Sequence, residues 1–319
     1  MWSLKTGACL LPLLVSSATA TPNLALDIDF PDPAITFDTK SGDWYSFATA
    51  GNGNRLQVAQ ALSNHGPWTL LDIDLLPKLG PWAVTTGIWA PDVRYLAVNN
   101  SFVMYYSAPY AADQAFHCVG AAIADNILGP YIAIDDPIGC PISQGGAIDP
   151  AGFYDEASGT QWVLYKVDGN SIGHGGVCGN GIEPVVPTPI LMQQVGLDGY
   201  TKIGDPIEVL DRSDADGPLV EAPQLIKTAD GTYVLFFSSN CYSTPQYDVS
   251  YATSRSLKGP YKKSSTPLLV TGDYNLTSPG GAQSVNGGGQ MVFHANCDEG
   301  RCMYQSSFEV KDNIVTLTC

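Results

Sequence analysis

Four carboxylates recur beside prolines at matched distances from aromatic segments. Asp32 lies 12 residues before Trp44, Asp92 lies 10 before Phe102, Asp149 lies 13 before Trp162 and Glu221 lies 12 before Tyr233. The local words are Asp32-Pro33, Pro91-Asp92, Asp149-Pro150 and Glu221-Ala222-Pro223. One Asp beside Pro is ordinary turn chemistry, whereas four in step ask for a common position in repeated units. Carboxylates gathered at one place repel one another, and with partial burial this raises at least one pKa, leaving an acid and a base at the same pH. Glycoside cleavage uses such a pair: one carboxylic acid protonates the leaving oxygen while one carboxylate activates water or attacks carbon.

Positioning them requires a repeat, and the sequence has one. A turn residue followed by an alternating aromatic strand occurs five times, anchored at Trp44, Phe102, Trp162, Tyr233 and Met291, with separations of 58, 60, 71 and 58 residues. Three copies share a closing turn, Gly66-Pro67-Trp68, Gly129-Pro130-Tyr131 and Gly259-Pro260-Tyr261. Each unit offers about four short strands bounded by turn residues. No segment keeps a helical period over three turns. A ring of such units buries what one unit cannot. The expected fold is all-β, a single five-bladed β-propeller spanning 21–319. A β-sandwich is the rival, but it predicts no constant repeat. In the ring the four carboxylates should converge on one mouth of the central channel.

The 319 residues carry 31 Asp+Glu against 15 Lys+Arg, a net charge of -16. So acidic a chain has no basic footprint for nucleic acid or an anionic membrane, and neither partner is expected. Residues 1–20 read as a secretory signal: Lys5, an apolar run from Ala8 to Val15, and the cleavage word Ala18-Thr19-Ala20. The run is too short to span a bilayer, so a secreted, extracellular monomer is the expectation. Cys9 leaves with the signal. Of the remaining seven cysteines, the expected pairs are Cys118–Cys140, Cys178–Cys241 and Cys297–Cys302, with Cys319 left over. Asn99-Asn100-Ser101 and Asn275-Leu276-Thr277 are glycosylation sequons expected on loops.

The ordered words Phe30-Pro31-Asp32-Pro33-Ala34, Trp89-Ala90-Pro91-Asp92-Val93, Ala147-Ile148-Asp149-Pro150, Lys166-Val167-Asp168-Gly169-Asn170, Val220-Glu221-Ala222-Pro223 and Gly280-Gly281-Ala282 resemble glycoside hydrolase family 43 over nearly the whole mature chain. The resemblance implies a five-bladed propeller that hydrolyses arabinan, xylan or related side chains with inversion. It makes Asp32 the general base, Glu221 the general acid, and Asp149 the residue that tunes and orients the acid. The retaining fructan- and sucrose-cleaving propellers carry different words at all three acids.

Within the family, Gly87 to Asp92 together with Gln144 to Asp149 look most like exo-acting α-L-arabinofuranosidases and arabinanases. The implied partner is plant cell-wall polysaccharide, arabinan or arabinoxylan. A β-xylosidase, an endo-arabinanase and a non-catalytic carbohydrate-binding propeller are the alternatives. Trp89 is the candidate stacking platform for a sugar ring, and Asp92, Asp168, Asn170 and Ser239 are candidate hydrogen-bonding residues. The chemistry requires no cofactor. In the resembled arabinanases a histidine after the fifth aromatic strand lies near an axial ion or water. That makes His294 the candidate ligand of a structural calcium or sodium ion, with a structural hydrogen bond as the alternative.

Overall fold

A computed structural model describes residues 22–318. The signal expected at 1–20 and Cys319 lie outside the described residues. Turn-bounded, β-branched and aromatic stretches form five antiparallel sheets, one for each copy of the repeat. The innermost strands of blades one to four are Ala34–Asp38, Trp89–Leu96, Ala147–Asp155 and Val220–Lys227. The aromatic anchors lie on the second strands, Asp43–Ala48, Ser101–Tyr110, Thr160–Val167 and Tyr233–Ser239. Blade five is built on Gly280–Ser284, Gln290–Cys297 and Gly300–Lys311. The described chain both begins and ends there: Asn23–Leu26 and Ile314–Thr318 each pair with Gly300–Lys311, which ties the ring shut.

The second strands alternate large apolar residues, and those residues form the seams between blades. Five buried clusters occur among the described residues, one for each seam of the ring. Tyr45, Phe47, Phe102 and Tyr106 join blades one and two. Trp162, Leu164, Tyr233 and Leu235 join blades three and four. Removing one such aromatic side chain costs roughly 3–5 kcal/mol, so the blades hold each other rather than standing alone. The three Gly-Pro closing turns are equivalent cis peptides, each with glycine in the left-handed region (φ 81, 75 and 84).

The three expected disulfides form, Cys118–Cys140, Cys178–Cys241 and Cys297–Cys302. Both sequon asparagines are exposed, Asn99 in a turn and Asn275 at the end of the short 3-10 helix Asp273–Asn275.

Candidate active site

Each innermost strand starts on a backbone device that the sequence does not announce. Asp32, Ala90, Asp149, Ala222 and Gly281 all have left-handed φ (56, 44, 57, 52 and 61), and they occupy the same place in successive blades. In blades two to five the strand register shifts at this point, as at a β-bulge. Left-handed geometry costs a non-glycine residue about 1–2 kcal/mol, and such strain concentrates where a side chain must be aimed.

The repeat therefore places the acids differently from the expectation of four equivalent positions. Asp32 and Asp149 are equivalent. Glu221 is one residue earlier than that position and Asp92 two residues later, because the bulge changes which side chains face the mouth. Asp32, Asp149 and Glu221 line one cavity of about 550 Å³, to which all five blades contribute. Asp92 does not line it. Fully buried, Asp92 accepts bonds from the Arg94 side chain at 2.8 Å and the Gly152 N–H at 2.7 Å, so its carboxylate braces the channel wall. Ser239, also expected at the site, is buried too: its hydroxyl donates to Asp216 and its N–H to Asp248.

Trp89, Asp168 and Asn170 do line the cavity. Trp89 is 37% exposed, and one face is backed by His117 with ring centroids 3.7 Å apart. The Oδ1 atom of Asn170 is buried without a protein partner among the described residues, a polar atom available to a ligand. Thr49, Lys166, Tyr242, Tyr247 and Arg301 are among the further lining residues, and the sequence had assigned none of these five a place in the site. A lysine inside the apolar strand Trp162-Val163-Leu164-Tyr165-Lys166 was a legible signal, since lysine is almost never fully buried unless paired. Arg301 had none, because it lies at the start of Gly300–Lys311, an interior strand of the blade that closes the ring.

These neighbours give the three carboxyls different characters. Burial opposes ionisation of Asp32, but the Arg301 guanidinium 3.1 Å away and the Thr49 hydroxyl outweigh it and hold the group below the ordinary carboxylate range. Burial and the neighbouring charge of Glu221 push Asp149 well above that range, against the pull of Lys166 and the Ala222 N–H. Glu221 sits between two donors, Lys166 Nζ at 2.9 Å and the Tyr247 hydroxyl at 2.8 Å. One carboxylate is thus prepared to accept a proton and a second carboxyl to retain one, as acid–base cleavage requires.

The blades are latched around this mouth by a recurring hydrogen bond. Thr49, Ser107, Ser238 and His294 each accept the N–H of the left-handed residue in the next blade: Ala90, Asp149, Gly281 and Asp32 respectively, at 2.9, 3.0, 2.9 and 3.1 Å. This corrects the expectation for His294. Burial lowers its pKa to about 3, so the ring is neutral. With Nδ1 accepting from Asp32, the proton sits on Nε2, which is buried and has no protein partner among the described residues. A metal needs a lone pair, whereas this nitrogen presents a donor. The arrangement does not fit a calcium or sodium ion on His294; the ring serves as the fifth blade's latch.

The sequence profile described as glycosyl hydrolases family 43 matches residues 30–308. The extracellular endo-α-(1→5)-L-arabinanase 2 of Bacillus subtilis (strain 168) is 26% identical over 270 residues, covering 78% of this chain and 53% of that protein. The chain thus spans about half the length of that relative. A crystal structure of a thermostable family-43 glycoside hydrolase superposes with a TM-score of 0.77 at 24% identity, covering 94% of this chain and 96% of the other. An exo-1,5-α-L-arabinanase from a bovine ruminal metagenomic library superposes with a TM-score of 0.69 at 20% identity, covering 92% and 98%.

Proposed function

The chain belongs to glycosyl hydrolase family 43, and from that premise we propose that it is an inverting glycosidase releasing L-arabinofuranose from arabinan or arabinoxylan of plant cell walls. The observation that carries this reading is the unequal electrostatics of three carboxyls around one cavity. Asp32, ionised beside Arg301, takes a proton from a water whose oxygen bonds to the anomeric carbon. The glycosidic C–O bond breaks, and its oxygen receives the proton of Glu221. Asp149 keeps the pair it forms with Glu221 from losing its last proton too early. No cofactor takes part in these steps.

Exo action is supported by the rim. The insert between Val167 and Ile190 and the one between Ser239 and Ser250 are joined by Cys178–Cys241, and Cys178, Gly179 and Tyr242 line the cavity. A braced wall stands on one side of the cavity, the element a chain-end pocket needs and a groove does not. Secretion is supported by the signal word at 1–20 and by the three disulfides, which persist in oxidising compartments. No helix among the described residues is long and apolar enough to cross a membrane.

Product analysis on linear arabinan, branched arabinan and arabinoxylan tests the reading. L-arabinose alone is expected, first appearing as the inverted anomer in a proton NMR time course. A ladder of oligomers points to endo cleavage, the activity named for the Bacillus relative, and faster release from an aryl xyloside than from an aryl arabinofuranoside replaces arabinose with xylose. For the stacking role, Trp89→Ala is expected to raise KM about tenfold, equivalent to ~1.4 kcal/mol, with kcat within a factor of three or so. An unchanged KM removes Trp89 from the binding surface.

A further inference from the structure

Four of the five blades place a hydrogen-bond acceptor at the latch position, and blade three places Lys166 there, opposite Ile148 as Ser238 is opposite Glu221 and His294 opposite Gly280. Lysine has three donors and no acceptor, so it cannot latch. The Ala222 N–H that it would have held bonds to Asp149 Oδ2 instead, at 3.0 Å. Lys166 is fully buried, and its ammonium lies 2.9 Å from Glu221 and 3.1 Å from Asp168. A buried charge in place of a working latch costs stability unless it serves the groups it touches.

We propose that Lys166 is a positioning residue that fixes where the proton of the Asp149–Glu221 pair resides and the pH at which it is lost, an inference that rests on the glycosidase reading. Both oxygens of Glu221 accept from donors, Oε2 from Lys166 and Oε1 from Tyr247. The donors around Glu221 and the burial of Asp149 give the two carboxyls of the pair unlike surroundings, and among the described residues Lys166 is the one cation that touches the pair. Burial works against the ammonium, but Glu221 and Asp168, the carboxylates it touches, hold the Lys166 pKa above its ordinary value.

The remaining charges around the pair do not cancel this effect. Asp32 and Arg301 neutralise each other across 3.1 Å, His294 is uncharged, and the Tyr247 hydroxyl is pushed well above its ordinary range by burial and Glu221. Asp168 divides the ammonium with Glu221, so Lys166 and Asp168 act on the pair with opposite signs. The two carboxyls titrate as a unit, and the alkaline limb of the activity profile reports the loss of their shared proton.

The test is the pH profile of kcat/KM on an aryl arabinofuranoside for wild type, Lys166→Met and Asp168→Asn. Losing an opposite charge at this distance shifts a carboxyl by about 1–3 units. The Lys166→Met limb is thus expected to move up by at least about one unit. Asp168→Asn leaves the ammonium wholly to Glu221 and should move the limb down. Lys166→Arg keeps the charge and should keep the limb near that of wild type. Should Lys166→Met lose its thermal transition, the downward shift in Asp168→Asn carries the test by itself. Limbs that coincide in all folded variants overturn the proposal while leaving the glycosidase reading intact. A wild type inactive on both arabinofuranosides and xylosides overturns that reading instead.

Discussion

Asp32→Asn is expected to lower kcat on an aryl arabinofuranoside by about 10³-fold, within the 10²–10⁴ that a positioned acid or base supplies, with KM nearly unchanged. The amide keeps the size and left-handed backbone of Asp32 (φ 56) and can still accept from Thr49. It cannot take a proton from water. The same substitution leaves Arg301 without its carboxylate, so a modest stability loss should accompany it; the thermal transition checks that the ring stays closed. A sharper version uses Asp32→Ala with added azide. Azide needs no deprotonation, and with room at the base position it should form a glycosyl azide of inverted configuration. Retained configuration, or hydrolysis within about threefold of wild type, would remove Asp32 from the role of base.

The acid limb follows from the same neighbours. The folded Asp32 lies below the ordinary carboxylate value because Arg301 and Thr49 outweigh burial. Its ionised form therefore persists as pH falls, and activity should fade on the acid side only once Asp32 itself is protonated. Asp149, displaced upward, retains its proton into a range where an ordinary carboxyl has lost one. The window between these displacements is where water activation and proton donation coexist.

The architecture was legible because a propeller writes its fold into spacing. Trp44, Phe102, Trp162, Tyr233 and Met291 each begin the run of a second strand, and the turn residues between them bound the sheets. The three acids of the cavity were legible for a partly mistaken reason. Spacing alone put Asp92 and Glu221 in the same place as Asp32, but the bulge at the head of each inner strand decides which residue faces the mouth. A bulge leaves no fixed residue signature here: its left-handed position is filled by Asp, Ala and Gly in turn. Arg301 and Tyr242 were illegible because Arg301 reaches Asp32 through ring closure, and Tyr242 reaches Arg301 through the course of an insert. His294 was found and its role was not, since one imidazole can latch a backbone or hold an ion. Only the direction of the Asp32 N–H distinguishes them.

Glu221→Gln should separate substrates by their leaving groups. On arabinan or arabinoxylan the departing oxygen belongs to a sugar hydroxyl, a poor leaving group that needs a proton as the bond breaks. There kcat is expected to fall by about 10³–10⁴-fold. A dinitrophenolate departs without help, so on a dinitrophenyl arabinofuranoside the same variant should lose about tenfold or less. The new side-chain amide can still accept from Lys166 but offers an N–H toward a neighbour, so some misalignment is built into the measurement. Misalignment penalises both substrates alike, whereas a missing proton penalises only the one that needs it; the ratio of the two losses isolates proton donation. The substitution also removes the charge that repels a proton-free Asp149, so the Asp149 carboxyl should titrate lower than in the parent, measurable by its ¹³C carboxyl shift. Equal losses on both substrates would leave Glu221 as an orienting group, and the protonated Asp149 would then be the group to test as the donor.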